Sequence, residues 1–377
     1  MICAFAIALL AAPADDAKPA LSDPNFFPLA VWLQNTSRAA EFKKAGINTY
    51  VGLWRGPNSE QLSELDKHGM KLICHQNAAA LAHPNKGSII AWMHGDEPDN
   101  AQPLGRGKQG YGPPIPTSKI IADYQKLKAA DPARPVLLNL GQGVAWDGWY
   151  GRGSRTNHPE DYPEYIKGCD IVSFDIYPAC HDHKDVAGKL WLVADGVSRL
   201  RKWSDDKKTV WNCIETTRIS NEKAIAAPDQ VRAEIWMSLI RGSKGIIYFC
   251  HQFKPTFIEA GLLAEKDILA AVTKTNHQIQ KLAPVLSSPT LSEGVSIDSP
   301  ADRPVEALCK KHNGALHLFA VAMRGNDTKA SFQLPEAPAA GSMIEVIDEN
   351  RTIPINNGKF TDDFPAWGVH LYRVAAK

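Results

Sequence analysis

Between residues 26 and 253 the chain alternates short apolar runs with amphipathic stretches. The runs are FFPLAVWLQ (26–34), GINTYVGLW (46–54), MKLICHQN (70–77), SIIAWMHGDE (88–97), PVLLNLG (135–141), CDIVSFDIYP (169–178), KTVWNCIET (208–216) and KGIIYFCHQF (244–253). Such runs predict strands buried on both faces, as in a parallel sheet. The stretches between them carry helix signals. RAAEFKKAG stops at Gly46 and SEQLSELDKHG at Gly69. TSKIIADYQKLKAADP opens on a Thr or Ser cap and stops before Pro132, and PDQVRAEIWMSLIRGS runs from Pro228 to Gly242. A last long helix is expected over 263–283. Eight β–α units in succession predict an α/β fold, a (β/α)8 barrel over 21–286. An open doubly wound sheet would carry a Gly-rich first turn, and no G-x-G-x-x-G follows the first run.

From about residue 287 the helical period disappears. Short runs such as ALHLFAVAMR, KASFQL, SMIEVID and WGVHLYRV are separated by HNG, RGND, DEN and NNG. Asn-Gly between apolar runs is a hairpin signal, so residues 287–377 are expected to form a small antiparallel β-sandwich.

The chain has 377 residues with 42 Lys plus Arg against 41 Asp plus Glu, a formal net charge of +1. That balance gives no electrostatic case for nucleic acid or an anionic membrane. An uncharged partner fits better. Residues 2–12 are almost wholly apolar, too short to span a bilayer, and are followed by small residues and Asp15–Asp16. They read as the core and cleavage zone of a signal peptide and leader over 1–20, though no Lys or Arg precedes them. A secreted protein, extracellular or periplasmic, is therefore expected. The cysteines show no metal-ligand spacing, and Cys169–Cys180 is a conceivable but unforced pair.

In such barrels chemistry gathers at the C-terminal ends of the strands. These ends carry Trp54 and Arg55, His75, Asp96 and Glu97, Asn139, Asp175 and Tyr177, Glu215, and His251. Polar and aromatic groups at nearly every strand end suit a sugar, whose hydroxyls take hydrogen bonds and whose ring faces take aromatic surfaces. Trp146 and Trp149, in the long loop after the fifth run, are further candidates for stacking on sugar rings. HDHKD at 181–185 reads as a surface loop, since metal-dependent barrel hydrolases carry H-x-H on the first strand, which here ends WLQ. No metal or cofactor is expected. Nothing in the sequence signals an oligomeric state.

Glycosidic cleavage needs one neutral carboxyl and one ionised one, and Glu97 and Glu215 end the fourth and seventh runs. With WMHGDEPD around Glu97, FDIYP around Tyr177 and VWNCIETT around Glu215, residues 26–285 resemble the retaining glycoside hydrolases of clan A. With the expected signal segment, that resemblance leads to a secreted enzyme cleaving β-linked oligo- or polysaccharide by double displacement. It implies Glu97 as acid/base and Glu215 as nucleophile; beside them Tyr177 is a candidate to bond the nucleophile, and Arg55 or His75 to orient it or bind sugar. It covers neither Asp96, which stands where these enzymes carry an Asn touching the sugar 2-hydroxyl, nor the eighth strand end, where FCHQF replaces the usual Trp. A catalytically weak carbohydrate-binding barrel is the competing reading.

Overall fold

The computed structural model describes residues 20–105, 107–291, 295–336, 338–339 and 341–375. The expected signal segment lies outside these residues. Nine parallel strands form one sheet: β1 (Leu29–Trp32), β2 (Thr49–Val51), β3 (Lys71–Cys74), β4 (Ile89–Asp96), β5 (Val136–Leu140), β6 (Ile171–Phe174), β7 (Thr209–Val210), β8 (Asn212–Glu215) and β9 (Ile246–Phe249). β7 and β8 are two halves of one strand interrupted at Trp211, and β7 pairs with β6 while β8 pairs with β9. β1 pairs with both β2 and β9. The sheet is thus a closed eight-stranded barrel, with the expected parallel order throughout.

Strand alternation divides the core in two. Ala30, Trp32, Val51, Ile73, Met93, Leu137, Cys213 and Ile247 fill the barrel interior. Their neighbours Leu29, Val31, Tyr50, Leu72, Trp92, Leu138, Ile214 and Tyr248 pack outward against helices. The helices are α1 (Ala39–Lys44), α2 (Ser59–Lys67), α3 (Ala78–Ala82), α4 (Thr117–Ala130), α5 (Tyr162–Tyr165), α6 (Leu192–Trp203), α7 (Pro228–Ile240), α8 (Gly261–Ala264) and α9 (Lys266–Ser287). The Asn58 side chain accepts from the Gln61 N–H, and Gln61 returns the bond, so α2 starts on a capping box.

Two of the eight β–α units depart from the expected pattern. The helix after β3 shrinks to the five residues of α3. The connection after β5 is mostly 3-10 turns around α5. Gly141, Gly143, Gly148, Gly151 and Gly153, with Pro159 and Pro163, break any continuous helix there. The pattern of α6 was not singled out by the sequence.

After α9 come two antiparallel sheets. β10 (Ser296–Asp298), β13 (Thr328–Gln333) and β16 (Lys359–Phe364) make one; β11 (Val305–His312), β12 (Ala315–Ala322), β17 (Val369–Ala375), β14 (Met343–Val346) and β15 (Arg351–Pro354) make the other. This is the expected β-sandwich. Its own core holds Phe332, Phe360, Phe364 and Tyr372. Phe319, Val321 and Leu371 instead join the barrel's outer core, where Phe319 meets Trp236 of α7 with ring centroids 5.2 Å apart. Arg241 and Glu306 add an ion pair across the same face. Cys74, Cys169, Cys180, Cys213, Cys250 and Cys309 are all free and buried, so Cys169 and Cys180 are not bridged.

Candidate active site

A cleft of about 1180 Å³ opens at the C-terminal end of the barrel. β4 delivers its acidic end to it. A strand turns consecutive side chains to opposite faces, yet both Asp96 and Glu97 line the cleft. The reason is local: Glu97 has φ +43°, a left-handed conformation that breaks the alternation. A non-glycine residue held there costs on the order of 1–3 kcal/mol, and such strain gathers at functional sites. Its backbone N–H is anchored on the Asn139 carbonyl at 3.0 Å. Room for its carboxyl comes from Gly141, where a Cβ would lie 2.8 Å from Glu97 Oε1. Gly141 is in turn held by buried Asp99, whose Oδ1 accepts the Gly141 N–H at 3.0 Å and whose Oδ2 accepts from the Tyr162 hydroxyl at 3.0 Å.

Burial pushes the Glu97 carboxyl well above its ordinary range, and the charges of Asp175, Asp96 and Asp99 push the same way. Asp175, just past β6, faces it. Burial lifts Asp175 to about 7, the charge of Asp96 adds to this, and its contacts with Glu97 and Tyr177 oppose it. The facing carboxyls titrate together, with Glu97 the group held protonated and Asp175 the one that ionises first. Asp175 Oδ1 and the Tyr177 hydroxyl are buried at the cleft in mutual contact, and among the described residues neither makes a hydrogen bond of good geometry. Asp96 is open to the cleft while protein surrounds most of its carboxyl; desolvation raises its pKa and the Asn139 bond opposes that. Asn139 Nδ2 donates to Asp96 Oδ1 at 3.0 Å, and the Ser173 hydroxyl donates to Asn139 Oδ1 at 2.8 Å.

Trp54, Trp149 and His251 also line the cleft, as do Asn139, Asp175 and Tyr177. Trp54 stands at the rim, 69% exposed. The Trp149 indole donates to Asn100 Oδ1 at 2.8 Å. His251 lies beneath an aromatic wall, its ring stacked 6.2 Å from Phe253 and 6.0 Å from Phe257. Phe249, Phe257 and Glu259 line the cleft without having been singled out from the sequence. The aromatics of FCHQFKPTF were the available signal.

Four sequence-predicted residues are not cleft-lining. Arg55 turns its guanidinium over the Trp54 ring, 5.9 Å from the centroid. His75 is exposed at the end of β3, near enough to Asp96 to lower its pKa. Trp146 packs against His183, with centroids 4.7 Å apart, and against Trp149 and His181. His181 itself is buried against the Gln142 side chain at 2.9 Å, so HDHKD is partly an inward-packed segment rather than a wholly solvated one.

The fourth is Glu215, and here the structure departs from the expected catalytic pair. Glu215 has no exposed surface. The loop after β6 lies across its carboxylate: the Ala179 N–H donates to Oε1 at 2.6 Å and the Cys180 N–H to Oε2 at 2.7 Å. Burial raises Glu215 to about 7 against the lowering effect of those bonds. Glu234 of α7 faces it, fully buried and pushed well above its ordinary range by burial and by the Glu215 charge. The β8 residue that lines the cleft is Cys213, a thiol kept neutral by burial and by the carboxyls opposite.

The same fold recurs in solved structures. An α-amylase from Anoxybacillus superposes with TM-score 0.55 at 8% identity, covering 94% of this chain and 98% of that one. An α-amylase from Geobacillus thermoleovorans, complexed with acarbose, gives 0.53 at 10%, covering 94% and 99%. An α-L-arabinofuranosidase from Thermotoga maritima, in an arabinose complex, gives 0.51 at 10%, covering 93% and 97%. No family model matches the chain, and no curated protein matches it. The barrel with its C-terminal sandwich is thus an architecture shared with these proteins along their whole lengths.

Proposed function

We propose that the protein is a glycoside hydrolase with Glu97 as its acid. The observation that carries this reading is the Glu97–Asp175 pair: two carboxyls face one another in a barrel-mouth cleft, one held protonated and one able to ionise. Glycosidic cleavage asks for that division, since the leaving oxygen must receive a proton while an oxocarbenium-like centre develops beside it. Glu97 donates the proton, and afterwards its carboxylate takes one from the attacking water. Ionised Asp175 stabilises the developing positive charge, with the Tyr177 hydroxyl available to the same centre.

The cleft exceeds what a single sugar fills, and Trp54, Phe253 and Phe257 offer exposed ring faces along it. An oligo- or polysaccharide is therefore the substrate we propose, with β-linkage supported by the sequence resemblance. Export remains our reading of residues 2–12. Glu215 takes no part in this scheme, because engaging it would mean withdrawing the N–H groups of Ala179 and Cys180 from its carboxylate. That enclosure is also the one observation favouring a carbohydrate-binding barrel of weak activity.

Reducing-sugar release from a panel of β-linked glucans, mannans, galactans, xylans and amino-sugar oligosaccharides, with wild type and Glu97→Gln in parallel, separates the two. Release that vanishes in the variant supports the hydrolase. Glycan binding without release by folded wild type supports the binding barrel.

A further inference from the structure

If the protein is a glycoside hydrolase, its cleft lacks one ingredient of double displacement. The seventh barrel strand presents the neutral thiol of Cys213, and Glu215 is enclosed behind the loop after β6. What the cleft has instead is a second carboxylate immediately beside the acid. Asp96 and Glu97 are adjacent in sequence and line the same cleft, so a sugar that sets its glycosidic oxygen on Glu97 would turn the neighbouring substituent, that on C2, towards Asp96. Asn139 fixes Asp96 through Oδ1, and among the described residues no protein donor bonds its Oδ2. An ionised carboxylate only accepts hydrogen bonds, so this position asks for a donor on C2. Among the described residues no Lys or Arg lines the cleft, so none of them pairs there with a uronate or sulfate.

We propose that the substrate is a β-linked 2-acetamido-2-deoxyhexoside, and that its own acetamido carbonyl is the nucleophile. In the first step the Glu97 carboxyl transfers its proton to the leaving oxygen as the C1–O bond breaks with its electron pair. The acetamido oxygen forms the new bond to C1, giving a bicyclic oxazolinium. Its N–H is held by Asp96, whose charge balances the cation. In the second step a water gives its proton to the Glu97 carboxylate and adds to C1. The C1–oxazoline bond breaks, its electrons restore the acetamide, and net retention results. Only water is consumed and nothing is oxidised. The carbonyl attacks the face opposite the leaving group, so C1 and C2 substituents must be trans, which for gluco- and galacto-configured sugars means a β-linkage.

The test uses the full chain with 4-nitrophenyl N-acetyl-β-D-glucosaminide and galactosaminide, the corresponding 2-hydroxy glucoside and galactoside, chitin oligosaccharides, and N-mono-, di- and trifluoroacetyl analogues. A participating carbonyl acts as an intramolecular reactant, so kcat/KM for the acetamido sugars is expected to exceed that for the 2-hydroxy sugars by at least about 100-fold. Each added fluorine drains electrons from that carbonyl and should slow turnover further. Asp96→Asn keeps an acceptor for Asn139 and should cost about 100- to 1,000-fold on the acetamido substrates by losing the balancing charge. Comparable rates on 2-hydroxy sugars, or rates indifferent to fluorine, overturn the inference while leaving a glycoside hydrolase. No turnover of any glycoside by folded protein overturns both.

Discussion

Asp96, the last residue of β4, and Glu97, the next in the chain, both line the cleft, because Glu97 sits at φ +43° and the strand's alternation ends there. Everything chemical in the site follows from that corner. It sets a protonated carboxyl beside an accepting one, and it brings Glu97 opposite Asp175, whose charge helps hold the proton on Glu97.

That coupling has a measurable consequence. An acid active in its protonated form loses rate as pH rises through its pKa. Asp175→Asn removes one of the charges that raise Glu97, so the alkaline limb of the kcat profile is expected to move to lower pH. A limb that stays in place, or moves up, contradicts the pairing.

Stability should depend on pH through the same buried carboxyls. Burial raises Asp175 and Glu215 to about 7, and holds Glu97 and Glu234 well above their ordinary range. Between roughly pH 4 and pH 7 these carboxyls hold more protons in the folded chain than in the unfolded one, so their share of the stability falls as pH rises, while His94, His181, His251 and His317, lowered by burial, act in the opposite direction. Asp161 and Asp362, both lowered by their arginine partners, titrate below that window. The Tm is expected to be several degrees higher at pH 5 than at pH 8, with a smaller difference in Glu234→Gln. A Tm that climbs towards pH 8 counts against this.

The aromatic rim should act on binding rather than on chemistry. Trp54 is 69% exposed at the cleft, and among the described residues no hydrogen bond joins it to Glu97 or Asp175. Replacing it with Ala should raise KM by about three- to tenfold with kcat nearly unchanged, as expected for loss of uniform stacking energy. A fall in kcat with unchanged KM would move Trp54 into the chemistry.

The sandwich should prove inseparable from the barrel. Phe319 is fully buried against Trp236 and belongs to the core shared with the barrel helices. Phe319→Ala is expected to cost about 3–5 kcal/mol and to lower one common melting transition. Two separate transitions, with only the sandwich destabilised, would show that the units fold independently.

How much of this was written in the sequence depends on how local the cause is. Runs such as PVLLNLG and KGIIYFCHQF reveal buried strands because strand burial leaves its mark on consecutive residues. GDE at the end of β4 marks the acid for the same reason. The enclosure of Glu215 has no such mark. VWNCIE ends in a carboxyl as an active strand would, and only the path of a loop 35 residues away brings the N–H groups of Ala179 and Cys180 onto it. Glu234 was legible in hindsight, as a charge in a helix buried on nearly every side. The broken helices after β3 and β5 yield to Ala-rich and Gly-rich local sequence, while Phe257 and Glu259 reach the cleft through the fold of the loop after β9.

The most direct test of the account compares two single substitutions on one hydrolysed glycoside. After circular dichroism confirms that both variants fold, kcat is measured for Glu97→Gln and Glu215→Gln. Loss of the acid at Glu97 should lower kcat by about 100- to 10,000-fold, whereas Glu215→Gln should cost less than about tenfold. Equal losses, or a dead Glu215→Gln beside an active Glu97→Gln, would contradict a site built on Glu97 without Glu215.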